Sequence, residues 1–300
     1  MKKDFLTLTD LSLEEVKTVL ERAAEFKSGK DSSACPLIGK SIGLIFDKTS
    51  TRTRISFQTG IYQLGAQAIY INTKDLQLGR GETLEDTAKV LSRYLHGIVI
   101  RTYAHSKIEK LADNAEIPII NGLTDLHHPC QALADMLTIK EKKGKLNNIR
   151  LAYIGDGNNV VNSLMEAALM TDIDLVLACP NGYEPDKKIF NKVCSDGAKV
   201  EVLSDPNEAV KDADVLYTDT WISMGQEREV ERRRKIFKNY QINQGLLSLA
   251  KPDAIVMHCL PAHRGEEITD DVIDSAQSVV IDQAENRLHT QKALLEMLIK

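Results

Sequence analysis

What most limits the fold of this chain is an alternation of short apolar runs with stretches of helical spacing, kept up from residue 41 almost to the end. Residues 41–46, Ser-Ile-Gly-Leu-Ile-Phe, fit a buried strand, and Phe57, Ile61 and Leu64 then fall at i, i+4 and i+7, one face of a helix. The strand pattern returns at residues 68–71, 97–100 and 118–120, with helical segments from Thr83 to about Leu95 and from Ser106 to Ala115 between them. Ser12 and Glu15 form a capping box for an opening helix that Gly29 ends. Strands alternating with helices in this way predict parallel sheets with right-handed crossovers, an α/β fold whose ligands bind beyond the carboxyl ends of the strands. A polar break near Gly144 precedes a second series, with strands at residues 150–154, 175–178, 200–202, 215–217 and 254–257. The expected architecture is two doubly wound parallel-sheet domains, 1–143 and 144–284.

Chemistry-bearing residues cluster at those carboxyl ends. The first strand runs into Asp47-Lys48-Thr49-Ser50-Thr51-Arg52-Thr53-Arg54 at the start of a helix. A helix N-terminus offers unpaired backbone N–H groups and the positive end of the macrodipole, so hydroxyls and guanidiniums added there make an anion site, with phosphate the first candidate. The plainer reading is that Ser50 or Thr51 caps the helix while the arginines are solvated. A cap needs one hydroxyl, however, and the turn carries Thr49, Ser50, Thr51 and Thr53. The Gly-x-x-x-x-Gly-Lys frame of a Walker loop is missing. Arg101 ends the third strand, and Pro129 suits the first position of a helix, which makes His128 the cap and turns it, with Gln131, toward the same edge.

In the second series the strand at 150–154 leads into Gly155-Asp156-Gly157-Asn158-Asn159, which invites a dinucleotide-binding reading. Val160 replaces the third glycine, and the next strand ends in Cys179-Pro180-Asn181 without the carboxylate that holds a ribose, so the nicotinamide reading is disfavoured. The strand at 215–217 is followed by Asp219 and the chain's one tryptophan, Trp221. Residues 227–238 alternate in charge and read as a solvated helix with no nucleic-acid role. Cys259 closes the last inner strand, where the plain reading of a free cysteine is a small buried hydrophobe.

Composition excludes several classes. A net charge of −5 over 300 residues opposes a general nucleic-acid or anionic-membrane binder, so any anion site is local. No apolar run approaches the ~20 residues that span a bilayer, and the first residues lack a signal-peptide core, so a cytoplasmic location is expected. Five scattered cysteines without a C-x-x-C pair suggest neither a disulfide framework nor a zinc site.

Taken in order, the segments resemble the aspartate and ornithine carbamoyltransferases. Ser-Thr-Arg-Thr-Arg at 50–54, His-Pro-x-Gln-x-Leu-x-Asp at 128–135, Gly-Asp-Gly-Asn-Asn at 155–159, Asp-x-x-x-Ser-Met-Gly at 219–225, His-Cys-Leu-Pro at 258–261 and Ala-Glu-Asn-Arg at 284–287 all fit, across essentially the whole chain. Asp-x-x-x-Ser-Met-Gly and the cysteine of His-Cys-Leu-Pro resemble ornithine-type members rather than aspartate-type ones. The resemblance implies transfer of the carbamoyl group of carbamoyl phosphate to the δ-amine of L-ornithine, giving L-citrulline and phosphate, with the active site in the cleft between the domains. It implies that Ser50, Thr51, Arg52, Thr53, Gln77, Arg101, His128, Gln131, Cys259, Leu260 and Arg287 serve carbamoyl phosphate, and that Asn159, Asp219, Ser223 and Met224 serve ornithine. Arg101, His128, Asp219 and Cys259 carry the catalysis in this reading, and Arg54 fixes the turn. A cis Leu260–Pro261 bond, a terminal helix of about 285–300 packing back on the first domain and an assembly of at least three chains are implied as well.

The residue types suit this chemistry. An attacking amine must be neutral although a free alkyl amine titrates near ~10.4, so Asp219 and Cys259 are expected to orient it. Carbamoyl phosphate is already activated, so no metal, organic cofactor or covalent cysteine intermediate is required. Rival readings are another amine acceptor, such as putrescine or an acylated ornithine, and an inert binding homologue.

Overall fold

A computed structural model describes residues 2–30, 35–73, 81–222 and 229–299. By its contacts the chain divides into two compact units, Met1–Leu137 with Glu285–Lys300, and Thr138–Ala284.

The first unit begins with helix α1 (Leu13–Ser28), capped by the Ser12–Glu15 box and closed by Gly29 in the left-handed conformation. Strand β1 (Ser41–Phe46), helix α2 (Arg52–Gln63), strand β2 (Gln67–Asn72), helix α3 (Leu84–Tyr94), strand β3 (Gly97–Arg101), helix α4 (His105–Asn114) and strand β4 (Ile119–Leu123) follow. Their sheet has the order β2-β1-β3-β4, all parallel. Every residue of β3 is buried, as expected of a strand covered on both faces, while β2 at the edge is only partly covered. Helix α5 (Pro129–Lys143) starts in this unit, and the boundary falls within it.

In the second unit, strand β5 (Ile149–Ile154), helix α6 (Asn159–Met170), strand β6 (Ile173–Ala178), helix α7 (Lys187–Ser195), strand β7 (Val200–Leu203), helix α8 (Pro206–Ala209) and strand β8 (Val215–Thr218) continue the alternation. Helices α9 (Val230–Phe237) and α10 (Gln244–Leu247), strand β9 (Ile255–His258) and helix α11 (Asp270–Ile273) complete it, and the terminal helix α12 (Val280–Leu298) begins in it but belongs to the first unit from Glu285 onward. The second sheet is parallel throughout, in the order β7-β6-β5-β8-β9, with apolar clusters on both faces. Both sheets are therefore the expected α/β type.

Register decides where chemistry can gather. Phe46 pairs with Arg101, so β1 and β3 end level with each other. Ile154 pairs with Thr218 and Thr218 with His258, so β5, β8 and β9 release their following residues at one edge. In each sheet the chain order reverses at such a place, between β1 and β3 and between β5 and β8. An open parallel sheet binds ligands at that crevice.

Candidate active site

In the first unit the residues beyond β1 and β3 converge on one hydroxyl. Thr53, in the first turn of α2, accepts from Arg101 Nη1 at 3.3 Å and from Arg287 Nη2 at 3.1 Å. Both lone pairs of its oxygen are thereby used, and its single proton is left to donate. Arg287 Nη1 also donates to Gln131 Oε1 at 2.6 Å, and Gln131 Nε2 to Asp135 Oδ1 at 2.8 Å, which fixes the orientation of the amide. Thr53, Arg101, His128, Gln131 and Arg287 are all buried.

Burial, followed by the charges of Arg287, Arg101 and Arg52, holds His128 well below its ordinary titration range. A neutral imidazole among guanidiniums can donate an N–H to an oxygen without adding charge. Ser50 Oγ accepts from Thr53 N at 3.3 Å, so the capping role expected of one hydroxyl is real, while Thr51 makes no side-chain cap bond. Arg54 is turned aside, with Nε donating to Gln58 and its guanidinium 3.7 Å from the Tyr70 ring centroid. Lys48 is buried against the Tyr103 ring and paired with Asp125. Backbone amides at the head of α2 and two guanidiniums on one hydroxyl are the chemistry that suits an anion.

The second unit presents the opposite chemistry at the edge of β5, β8 and β9. Asp219 is buried, and both of its oxygens accept: Oδ1 from Cys259 Sγ at 2.9 Å and Thr220 N at 2.8 Å, Oδ2 from Asn158 Nδ2 at 2.7 Å. Asn158 also caps α6, its oxygen accepting from Val160 N and Val161 N. Asn159, expected to contact the amino-acid end of the acceptor, opens α6, and its neighbour Asn158 meets Asp219. A capping rule would have found it, since an asparagine just before an apolar helical run points its side chain back at the helix entrance. Gly157 has a packing reason: a Cβ there would lie 2.4 Å from the backbone of Glu184 and of Pro185.

One expectation is overturned. The charged segment after residue 229 does not form a wholly solvated helix: Arg233 on α9 is 3 % exposed and Phe237 is fully buried. The two lie four residues apart on one face, and Arg233 reaches Asp156 Oδ2 with Nη2 at 2.9 Å and Nη1 at 3.3 Å. Its guanidinium also sits 4.7 Å from the Tyr183 ring centroid. Burial pushes the Asp156 carboxyl up to about 7, against the opposing pull of Arg233.

Leu260 follows Cys259 with φ +56 and a cis bond to Pro261. Ligand-capable atoms of Asp219, His258 and Cys259 lie within 4.8 Å of one another, but the hydrogen bonds already use both nitrogens of His258 and both oxygens of Asp219. Cys259 is bonded to Asp219, and His258 is engaged instead by Glu267 and the Leu260 N–H. Gln77, Ser223 and Met224 lie outside the described residues. No helix among the described residues is long and apolar enough to cross a membrane.

Known proteins resemble the chain throughout its length. Residues 3–141 match the family described as aspartate/ornithine carbamoyltransferase, carbamoyl-P binding domain, and residues 147–298 match its Asp/Orn binding domain. An ornithine carbamoyltransferase of Syntrophus aciditrophicus is 55% identical over 302 residues, covering 100% of both chains. An anabolic ornithine carbamoyltransferase of Pyrococcus furiosus is 54% identical, covering 99% of this chain and 96% of its own. The solved structure of the ornithine carbamoyltransferase from Pyrococcus furiosus superposes with a TM-score of 0.94 at 53% identity, over 99% of this chain and 97% of that one. With its own parallel sheets carrying these motifs in order, the chain belongs to the aspartate/ornithine carbamoyltransferase family.

Proposed function

We propose that this protein transfers the carbamoyl group of carbamoyl phosphate to the δ-amine of L-ornithine, giving L-citrulline and phosphate. The first unit serves as the donor half-site and the second as the acceptor half-site. The observation that carries the reading is a pair of opposites: a Thr53 hydroxyl held by two guanidiniums in one unit, and in the other a buried Asp219 carboxylate rather than a second cationic group.

The donor dianion sits at the head of α2, with Ser50, Thr51, Arg52 and Thr53 around its phosphate. The neutral δ-amine attacks the carbamoyl carbon, and the carbonyl oxygen takes up negative charge in the tetrahedral intermediate. Arg101, the neutral His128 and the proton of Thr53 donate to that oxygen, and a donor of this kind is typically worth about 3 kcal/mol of barrier. Gln131, locked by Arg287 and Asp135, keeps a second lone pair on Oε1 for the carbamoyl NH2. The carbon–oxygen bond to phosphate then breaks, the leaving charge is met by the helix N-terminus and the arginines, and the nitrogen gives its proton to the departing phosphate, which leaves as the hydrogen phosphate ion. Asp219 suits a cationic diamino acid and repels a second carboxylate, which separates ornithine from aspartate. Cys259 lies beside it to orient the amine, and Asn159, Ser223 and Met224 are assigned to the amino-acid end.

Supplying carbamoyl phosphate with ornithine, putrescine and aspartate as competing acceptors tests the assignment. Citrulline is the expected product. Preferential carbamoylation of putrescine or aspartate, or donor binding without any transfer, would overturn it. We further read the protein as an assembly of at least three chains, a reading supported by Ile38, Ile55 and Tyr62, exposed at 74 %, 54 % and 80 % on the first unit. An active monomer in light scattering would contradict that.

A further inference from the structure

The amino edge of the first sheet, opposite the edge that carries the donor half-site, holds a cavity of about 670 Å³. That is the size of an ordinary small-molecule pocket, and the proposed reaction gives it no role. Its apolar wall comes from Leu95, Ile117, Pro118 and Leu298, with Tyr94, 71 % exposed, beside them. The polar groups around it are not balanced. Lys3 is tied to both oxygens of Glu15 at 2.5 Å, and that carboxylate also accepts from Ser12 N at 2.7 Å, so its capacity is largely used. Glu116 lies 3.7 Å from Arg93 Nη2, beyond hydrogen-bond reach, and no hydrogen bond among the described residues engages that guanidinium. His96 Nδ1 accepts from Ser41 N at 3.2 Å, so the ring proton sits on Nε2, which has no partner among the described residues either. Unused donors therefore face the cavity while one of its two carboxylates is already occupied. An anion answers the donors, and the apolar wall suits a ligand that carries a body as well as a charge.

The walls of the cavity lead to the donor cluster. His96 immediately precedes β3, at whose far end Arg101 stands, and its bond to Ser41 reaches the start of β1, the strand that runs into the turn of Thr53. Met297 and Leu298 end α12, which carries Arg287. At about 3.3 Å per strand residue and about 1.5 Å per helix residue, His96 to Arg101 and Met297 to Arg287 are each roughly 15 Å. The cavity is thus too distant to take a substrate, yet it shares elements with both guanidiniums that meet Thr53.

We propose that this cavity is an effector site for a small organic anion with an apolar body: Arg93 and His96 Nε2 hold the charged group, Leu95, Pro118 and Leu298 take the body, and occupancy shifts the affinity of the donor half-site. The binding claim stands without the functional reading, and the coupling claim rests on it.

The probe is 3-phenylpropionate, with 3-phenylpropionamide lacking the charge and acetate lacking the body. Ligand-observed NMR titrations of the full-length protein should show the acid binding at least about 10-fold more tightly than either control. Arg93→Ala, on the surface and outside the substrate machinery, should weaken the acid about 10-fold, the usual effect of losing a hydrogen bond to a charged group, and leave turnover without the probe unchanged. His96→Phe should weaken it as well. If His96→Phe does not fold, Arg93→Ala and the two control ligands decide. Saturating acid should change the wild-type kcat/KM for carbamoyl phosphate by about 5-fold or more and that for ornithine much less, a response that Arg93→Ala loses. Equal binding of acid and amide, or unchanged binding in Arg93→Ala, would overturn the site. Binding without a change in donor kinetics, or a kinetic effect that survives Arg93→Ala, would overturn the coupling. A wild-type protein that makes no citrulline would instead sink the functional reading, while the binding measurements would still stand.

Discussion

The two half-sites are built on the same plan and hold opposite charge. Each lies at the carboxyl edge of a parallel sheet, where neighbouring strands end level and the chain order reverses. In the first, cations surround a neutral oxygen: Arg101 and Arg287 share Thr53, with Arg52 close enough to depress His128. In the second, donors surround an anion: Cys259, Thr220 and Asn158 all point at Asp219. The fold supplies a place for a ligand and leaves its sign open. A handful of side chains at strand ends then gathers cations at one place and donors around an anion at the other, the contrast on which the proposed donor and acceptor roles rest.

The contrast is sharpest at its supports. Asp156 lies near Asp219 and would add a second buried negative charge to the acceptor side unless Arg233 answered it. Breaking a buried pair from one side typically costs about 3–5 kcal/mol, so Arg233→Met should lose more stability than a substitution at Arg287, Asp219 or His128. The cost should depend on pH. Losing Arg233 removes the pull that lowers the Asp156 carboxyl, so its titration moves above about 7. A folded-state value raised above the unfolded one favours the fold at low pH and penalises it as pH rises. Chemical denaturation should therefore find Arg233→Met more damaging at pH 8 than at pH 5. A pH-independent loss under about 1 kcal/mol would return α9 to the solvated role its charge pattern suggested.

On the donor side, Arg287→Ala should reduce kcat/KM for carbamoyl phosphate by about 100- to 1,000-fold, in line with removal of a donor to developing charge. On the acceptor side, Asp219→Asn keeps shape and hydrogen bonding but cancels the charge, and should lower kcat/KM for ornithine by about 10- to 100-fold, roughly 1.4 to 2.8 kcal/mol. If Asp219→Asn left ornithine kinetics untouched, the sign contrast would have no functional meaning. The smallest effect concerns His128. Burial and three arginines lower its titration in the folded state, so folding stability from this group is present above about 6.5, the unfolded value, and is lost as pH falls below it. The slope approaches about 1.4 kcal/mol per pH unit, and His128→Gln should flatten the thermal stability profile between about pH 6.5 and 5.

The fold was legible because parallel strands covered on both faces must be continuous apolar runs, and the runs around Leu44, Val99 and Tyr153 are of that kind. Helix starts could be read from Ser12, Thr83 and Pro129, where local chemistry alone decides. The crowding of hydroxyls at the head of α2 could be read because Thr49, Ser50, Thr51 and Thr53 exceed what capping needs, whereas the arginines that meet Thr53 come from β3 and α12. What stayed hidden depends on distance in sequence. Arg233 looked solvated because its partner Asp156 lies 77 residues away. Asn158 and Asn159 are neighbours of one type, and only the direction of the helix entrance separates the one that meets Asp219. His258 and Glu267 carried no periodic signal, since their relation is set by the corner at Leu260 and not by a helix or a strand.

The division of labour between the two half-sites can be measured directly by crossing the variants with the substrates. Steady-state kinetics of Arg287→Ala and Asp219→Asn, each with carbamoyl phosphate and ornithine varied in turn, should show Arg287→Ala acting chiefly on kcat/KM for carbamoyl phosphate and Asp219→Asn chiefly on that for ornithine. Equal losses for both substrates in both variants, or the reverse assignment, would contradict it.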